Sequence, residues 1–182
     1  ADDPLAAHLT LAVNVSACQF SQPGFVREVL DVLAETGADP RRLKLELTEG
    51  LLIEHTDSVI ATITALKRAG VCISLDDFGT GFSSLSYLKR LPLDQLKIDQ
   101  AFVRDLLTDP ADRAIVRAIV ALGQSLGMDV IAEGVESAAQ RDALAAAGCH
   151  AYQGYLFGKP QPIAQFDAAL CVNALEELAC GP

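Results

Sequence analysis

The sequence has no apolar run near the ~18–20 residues that a membrane-crossing helix requires, which excludes a bilayer-spanning segment. It opens ADDPLAAHLT, acidic where a secretory signal peptide is basic. Positive charge is scarce: 14 Lys and Arg face 24 Asp and Glu, for a net charge of −10 over 182 residues. That deficit excludes a broad basic face for coating nucleic acid or anionic lipid. It leaves room for a small anionic substrate if metal ions stand between it and the acids. The five cysteines (Cys18, Cys72, Cys149, Cys171 and Cys180) are odd in number and form no CxxC pair, so neither a disulfide framework nor a zinc knuckle is expected. Cys72, in an apolar stretch, is expected to be a small core residue. His8, His55 and His150 lack HExxH-like spacing and are expected at the surface or at strand ends. A reducing, cytoplasmic setting is the expectation.

What is present is a core: 51% of residues are hydrophobic, and glycine and proline are ordinary in number. Short β-branched runs at 9–16, 43–49, 71–77, 93–99, 129–135 and 150–157 alternate with helical stretches. The helical faces are read as Phe25, Val29, Val32 and Leu33; Val59, Ile63 and Leu66; and Ile115, Ile119, Leu122 and Leu126. Gly37, Gly70, Gly127 and Gly148 read as helix stops, and Ser137 and Thr108–Asp109 before Pro110 as helix starts. A last helix is expected from Pro162, through Phe166, Leu170, Ala174 and Leu178. Six strand–helix repeats without a linker predict one α/β unit with a parallel sheet. On length alone an open doubly wound sheet is favoured, because a (β/α)8 barrel usually takes ~250 residues.

Both faces of a parallel strand are normally buried, so polar residues within one are informative. Each predicted strand carries them near its C-terminal end: Asn14; Glu46 with Glu49; Asp76 with Asp77; Lys97 with Asp99; Glu133 with Glu136; and Gln153. Those ends share one rim, where α/β enzymes assemble their sites. Each residue alone has an ordinary structural explanation: a solvated acid, a helix cap, a salt-bridge partner. Repetition over six strands points instead to a site, with seven acids on one rim needing cations. Carboxylates with one Asn suit Mg2+ or Mn2+ rather than structural zinc. The Asp76–Asp77 pair serves two ions only where the strand bends, and the following Phe78-Gly79-Thr80-Gly81-Phe82 is expected to supply the bend and a mobile loop. Paired ions would suit phosphoester displacement, with Lys97 orienting or deprotonating a water, or meeting phosphate charge. Gly79-x-Gly81 as a dinucleotide-binding turn is a weak alternative, since Ser84 stands where a third glycine belongs.

The segments NVSACQF (14–20), ELTEG (46–50), DDFGTGFSSLSYLKRLPLDQLKID (76–99), AEGVE (132–136) and QGYLFGKP (153–160) resemble the bacterial EAL phosphodiesterase domain, in that family's order, from about residue 9 to 170. The resemblance implies an α/β fold of the (β/α)8 TIM-like type, of which residues 1–182 would form the C-terminal three-quarters. It implies hydrolysis of cyclic di-GMP to linear pGpG with two Mg2+ or Mn2+ ions. Asn14, Glu46, Asp76 and Asp77 then correspond to metal ligands, and Lys97, Glu133 and Gln153 to catalytic positions. Asp99 and Glu136 correspond to the substrate or its ordering network, and Glu49 and Thr80 to support of the 79–84 loop. Homodimerisation through that loop, and upstream sensory or cyclase domains, are further implications. A membrane anchor elsewhere in a full-length protein is compatible with a cytoplasmic domain.

One departure stands out: no Glu-Ala-Leu tripeptide occurs in the 182 residues. The expectation is that the first two strands, with that Glu and a phosphate-binding Arg, precede residue 1, and that this chain alone is weak or inactive. The alternative functions are a non-catalytic cyclic di-GMP receptor or interaction module of the same fold, and another metal-dependent phosphohydrolase.

Overall fold

Strand-forming β-branched and leucine-rich runs pair in sequence order in the computed structural model, which describes residues 9–52, 56–81, 85–163 and 165. His8, His55, residues 82–84, Cys171, Cys180 and the apolar residues expected of the last helix (Phe166, Leu170, Ala174 and Leu178) lie outside the described residues. The strands are β1 (Leu11–Val15), β2 (Leu43–Thr48), β3 (Cys72–Phe78), β4 (Gln95–Ile98), β5 (Asp129–Ala132) and β6 (Ala151–Tyr152). The helices are α1 (Ala17–Phe20), α2 (Phe25–Thr36), α3 (Thr56–Arg68), α4 (Leu85–Leu88), α5 (Gln100–Arg104), α6 (Pro110–Leu126) and α7 (Ala138–Ala146).

All five pairings are parallel and the order is β1-β2-β3-β4-β5-β6. This order overturns the open doubly wound sheet favoured by length. A doubly wound sheet reverses strand order at a switch point. Right-handed crossovers that always step the same way put every helix on one face and leave the other face inside a curving wall. The fold is therefore α/β of the TIM-barrel type, with six strands of the wall described.

Side-chain alternation separates the two faces. Leu45, Leu47, Ile73, Leu75, Leu96 and Ile98 face the helices and are almost wholly buried, together with Val59, Ile63 and Leu66 of α3. Each such side chain contributes about 1.5–3 kcal/mol on burial. Two predicted helix faces were rotated. On α2, Val32 is 53% exposed and Leu30 packs in its place beside Leu33. On α6 the buried line runs through Val116, Ile119, Val120 and Gly123, while Ile115, Leu122 and Leu126 flank it. Apolar residues on both shoulders of a helix make neighbouring faces score alike, and only the sheet chooses between them. Cys72 is half-buried at the start of β3, not a core residue; among the described residues the buried thiol is Cys149.

The start and stop signals hold. Asp109 caps α6 ahead of Pro110, and Ser137 caps α7. Gly37, Gly70, Gly127 and Gly148 all take left-handed backbone. β6 is much shorter than the run at 150–157, because beyond Tyr152 the chain leaves the sheet to pack on the loop after β5. Gly154 permits that approach: a Cβ there would lie 2.3 Å from both the backbone N and O of Val135.

Candidate active site

On the inner face, β2 turns Glu46 inward, β3 turns Asp76, β4 turns Lys97, and Glu133 follows β5. Lys97 is 3% exposed and stands at the centre. Its Nζ donates to Glu46 Oε2 at 2.7 Å, Asp76 Oδ1 at 3.0 Å and Glu133 Oε1 at 2.6 Å. Burial alone would lower the lysine's pKa, but hydrogen bonds to Glu133, Glu46 and Asp76 outweigh it and raise the pKa above its usual value. In this arrangement Lys97 is a fixed cation.

Asp76 and Asp77 occupy an irregularity in the β3–β4 register between Leu75 and Phe78. Asp77 takes φ 53°, the one positive φ outside glycine among the described residues. The bend therefore falls on the second aspartate itself, one step before the glycines expected to provide it. Such backbone is costly for a residue with a Cβ and is held by its surroundings. It lets consecutive carboxylates share one side of the strand. Asp77 is hydrogen-bonded to Asp99, and its pKa is raised by burial, by that bond and by the charges of Asp76 and Asp99. Glu133 is also raised, chiefly by burial, against the lowering pull of Lys97. Around the single ammonium of Lys97 stand Glu46, Asp76 and Glu133, with Asp77 next to Asp76, so acids outnumber cations at this point of the rim.

Oxygens of Asp76, Asp77 and Glu133 lie within 4.8 Å of one another, close enough to share an ion. The donors are all oxygen, which suits a hard divalent cation and argues against zinc. Asn14 pairs in register with Glu46, bringing its side chain to the same rim.

Support around this cluster comes from the loops. Glu49 is buried, and its Oε2 accepts from the amides of Gly79 at 3.2 Å and Gly81 at 3.1 Å. Thr80 Oγ1 donates to the Asp77 carbonyl at 2.9 Å. Asp99 caps α5 by accepting from the Ala101 amide at 2.6 Å. Glu136 and Gln153 have exposed side chains. What ties them to the rim is backbone: the Glu136 amide donates to Gln140, and Gln153 pairs with Ala132 at 2.8 Å and Val135 at 3.0 Å. Replacing Glu49 by Ala should speed exchange of the Gly79 and Gly81 amides about ten- to hundredfold, as loss of a charged acceptor predicts. Unchanged exchange, measured by NMR, would show that the loop is ordered by something else.

Two groups were missed in the sequence. Below the acids on the same face, Gln95 Oε1 accepts from Lys44 Nζ at 2.9 Å and Ser74 Oγ at 3.2 Å, making a polar layer under the cluster. Their alternation with Glu46, Asp76 and Lys97 was the available signal. The other is Gln140, buried on α7.

The EAL domain family profile matches residues 2–160. The bifunctional diguanylate cyclase/cyclic di-GMP phosphodiesterase MucR of Pseudomonas aeruginosa is 46% identical over 164 residues, which is 90% of this chain and 24% of that protein. The chain thus spans about a quarter of this curated relative's length. The PaMucR phosphodiesterase in complex with c-di-GMP superposes with a TM-score of 0.83 at 46% identity, covering 86% of this chain and 64% of that one. The manganese/cy-diGMP complex of Klebsiella pneumoniae BlrP1 at pH 6 has a TM-score of 0.77 at 34% identity, over 86% and 41% of the two chains.

Proposed function

The chain belongs to the EAL domain family, and on that premise we propose that its rim hydrolyses cyclic di-GMP to linear pGpG with two Mg2+ or Mn2+ ions. The carrying observation is the Lys97 hub, which gathers Glu46, Asp76 and Glu133 around one point beside Asp77. Relatives named as cyclic di-GMP phosphodiesterases, and a relative's complex with manganese and that dinucleotide, support the reading.

Asp76, Asp77 and Glu133 would hold one ion, and Glu46, Asn14 and Asp76 the other. Bound there, such ions polarise a phosphoryl oxygen and make a water acidic enough to attack. Lys97 keeps three carboxylates at fixed separations. Any carboxylate drawn off it frees an N–H to hold the attacking water or a phosphate oxygen. Glu133, whose Oε1 lies 2.6 Å from Lys97 Nζ, is the proposed acceptor of the water's proton at the same point. Asp99 and Glu136 are assigned to ordering the nucleotide, and Gln153, just past β6, to supporting the rim through its backbone bonds to Ala132 and Val135. Glu49 and Thr80 hold residues 79–81, the start of the segment proposed to contact a second copy. The domain is proposed to work in the cytoplasm, linked to sensory modules or to a cyclase module, the latter as the name of a bifunctional relative indicates.

The test is incubation with cyclic di-GMP and Mn2+, resolving pGpG by chromatography, on this chain and on a version extended upstream through a Glu-Ala-Leu segment. Turnover by the extended version, abolished by chelator and restored by Mn2+, is expected, with slow turnover by the 182 residues alone. Tight metal-free binding with no product from the extended version would favour a receptor instead. Faster cleavage of linear than of cyclic dinucleotide would identify a different phosphohydrolase.

A further inference from the structure

Gln140 is 8% exposed, and the chemistry above does not use it. It occupies the third position of α7, where a glutamine commonly closes a capping box by reaching back to the cap amide. That bond is present: Oε1 accepts from the Ser137 amide at 2.9 Å and from Ser137 Oγ at 3.1 Å. Capping needs nothing more. Yet the same oxygen also accepts from the Glu136 amide at 2.9 Å, and Nε2 donates to the carbonyl of Val103 at 3.1 Å. Val103 is fully buried in α5, the short helix capped by Asp99. One carboxamide therefore joins the end of the β5 loop to the helix behind the acid at the end of β4.

The front of the same loop is pressed onto α5 as well. Gly134, at φ 65°, passes so close that a Cβ would lie 2.6 Å from Gln100 Cβ. Glu133, which meets Lys97, immediately precedes the Gly134 contact, and Glu136 is itself held by Gln140. α5 begins at Asp99, which meets Asp77.

We propose that Gln140 is a positioning residue for the rim: its carboxamide locks the 133–137 loop to α5 and so sets the separation of the Glu133 and Asp99 carboxylates. The proposal rests on reading the rim as a metal-dependent phosphodiester site. Groups that orient metal ligands through one intermediary change affinity by about 10–100-fold when removed.

Three variants test it. Gln140→Met keeps the volume and loses both halves of the amide. Gln140→Glu keeps the acceptor for the Glu136 and Ser137 amides and loses the donor to Val103. Ser137→Ala weakens the α7 cap and leaves the Val103 bridge. The readouts are Mn2+ affinity without substrate, by electron paramagnetic resonance; exchange of the Glu136 and Ser137 amides; melting temperature; and kcat and KM in the upstream-extended version. Gln140→Met is expected to weaken Mn2+ binding about tenfold, expose both amides and lower kcat about tenfold with KM within threefold. Gln140→Glu should keep both amides protected and recover part of the Mn2+ affinity. Ser137→Ala should melt earlier with wild-type Mn2+ affinity.

If Gln140→Met melts earlier but binds Mn2+ and turns over as wild type does, the residue is a helix cap and the proposal falls. If the unaltered protein binds Mn2+ but cleaves no cyclic di-GMP, the functional reading fails, while the Mn2+ and exchange data still decide the role of Gln140. An unaltered protein that binds no Mn2+ overturns both.

Discussion

Replacing Lys97 by Met in chelator should lower the melting temperature by roughly 6–15 °C, and millimolar Mn2+ should return most of that loss. The side chain is nearly the same length, so packing changes little, but Glu46, Asp76 and Glu133 lose the cation they converge on. Leaving buried charge without its partner typically costs about 3–5 kcal/mol. Some of that is escaped by proton uptake, towards which Glu133 is already pushed. A divalent ion would restore positive charge to the same point, so the variant should gain more stability from Mn2+ than the unaltered protein. Turnover in the extended version should fall roughly 10²–10³-fold at saturating metal, the usual worth of a preorganised charged donor aimed at the reacting oxygens. Scanning calorimetry with and without Mn2+ separates the two effects. Equal melting temperatures in chelator, with turnover retained, would mean that the lysine hub is incidental.

Gly154→Ala should be among the most damaging single-methyl changes in the chain, at about 3 kcal/mol. The added carbon would stand 2.3 Å from the Val135 nitrogen and oxygen and 2.7 Å from its carbonyl carbon. These are backbone atoms that no rotamer change can move. Three hydrogen bonds fasten the two loops together: Gln153 to Ala132 at 2.8 Å, Val135 to Gln153 at 3.0 Å and Leu156 to Val135 at 3.0 Å. Room for the methyl comes only by parting them, and with them the backbone joining Gln153 to the loop of Glu133. Gly158→Ala is the matched control, since a Cβ there meets nothing within 4 Å. It should stay within about 0.5 kcal/mol of the parent. Denaturant midpoints at constant slope make the comparison. A Gly154→Ala protein as stable as Gly158→Ala would show that the two loops are free to separate.

The acids and the lysine were legible because a charge in a strand buried on both faces has few uses. None of Glu46, Asp76, Lys97 and Glu133 stood out alone, but their repetition at successive strand ends marked them, and they meet at one point. The strand order was not legible from length, since counting residues says nothing about which way each crossover turns. It became so only through the motif order. The placement of the bend at Asp77 was out of reach because aspartate rarely takes left-handed backbone, so the adjacent glycines were the better guess. Gln140 was half legible. The Ser137-to-Gln140 spacing reads as a helix start, but the bond to Val103 joins residues far apart in sequence, and no local pattern encodes it. Lys44, Ser74 and Gln95 were passed over because single polar residues low in a strand resemble ordinary barrel filling.

The uninterrupted β1-to-β6 order also shapes how the chain can fold. Every described strand finds its partner in the next segment made, with paired residues roughly 20–35 positions apart, so each closure costs a similar and modest entropy. None of these five pairings has to wait for a distant segment. A chain emerging from the ribosome can therefore add one strand–helix unit at a time to a growing wall, hiding each new edge soon after it appears.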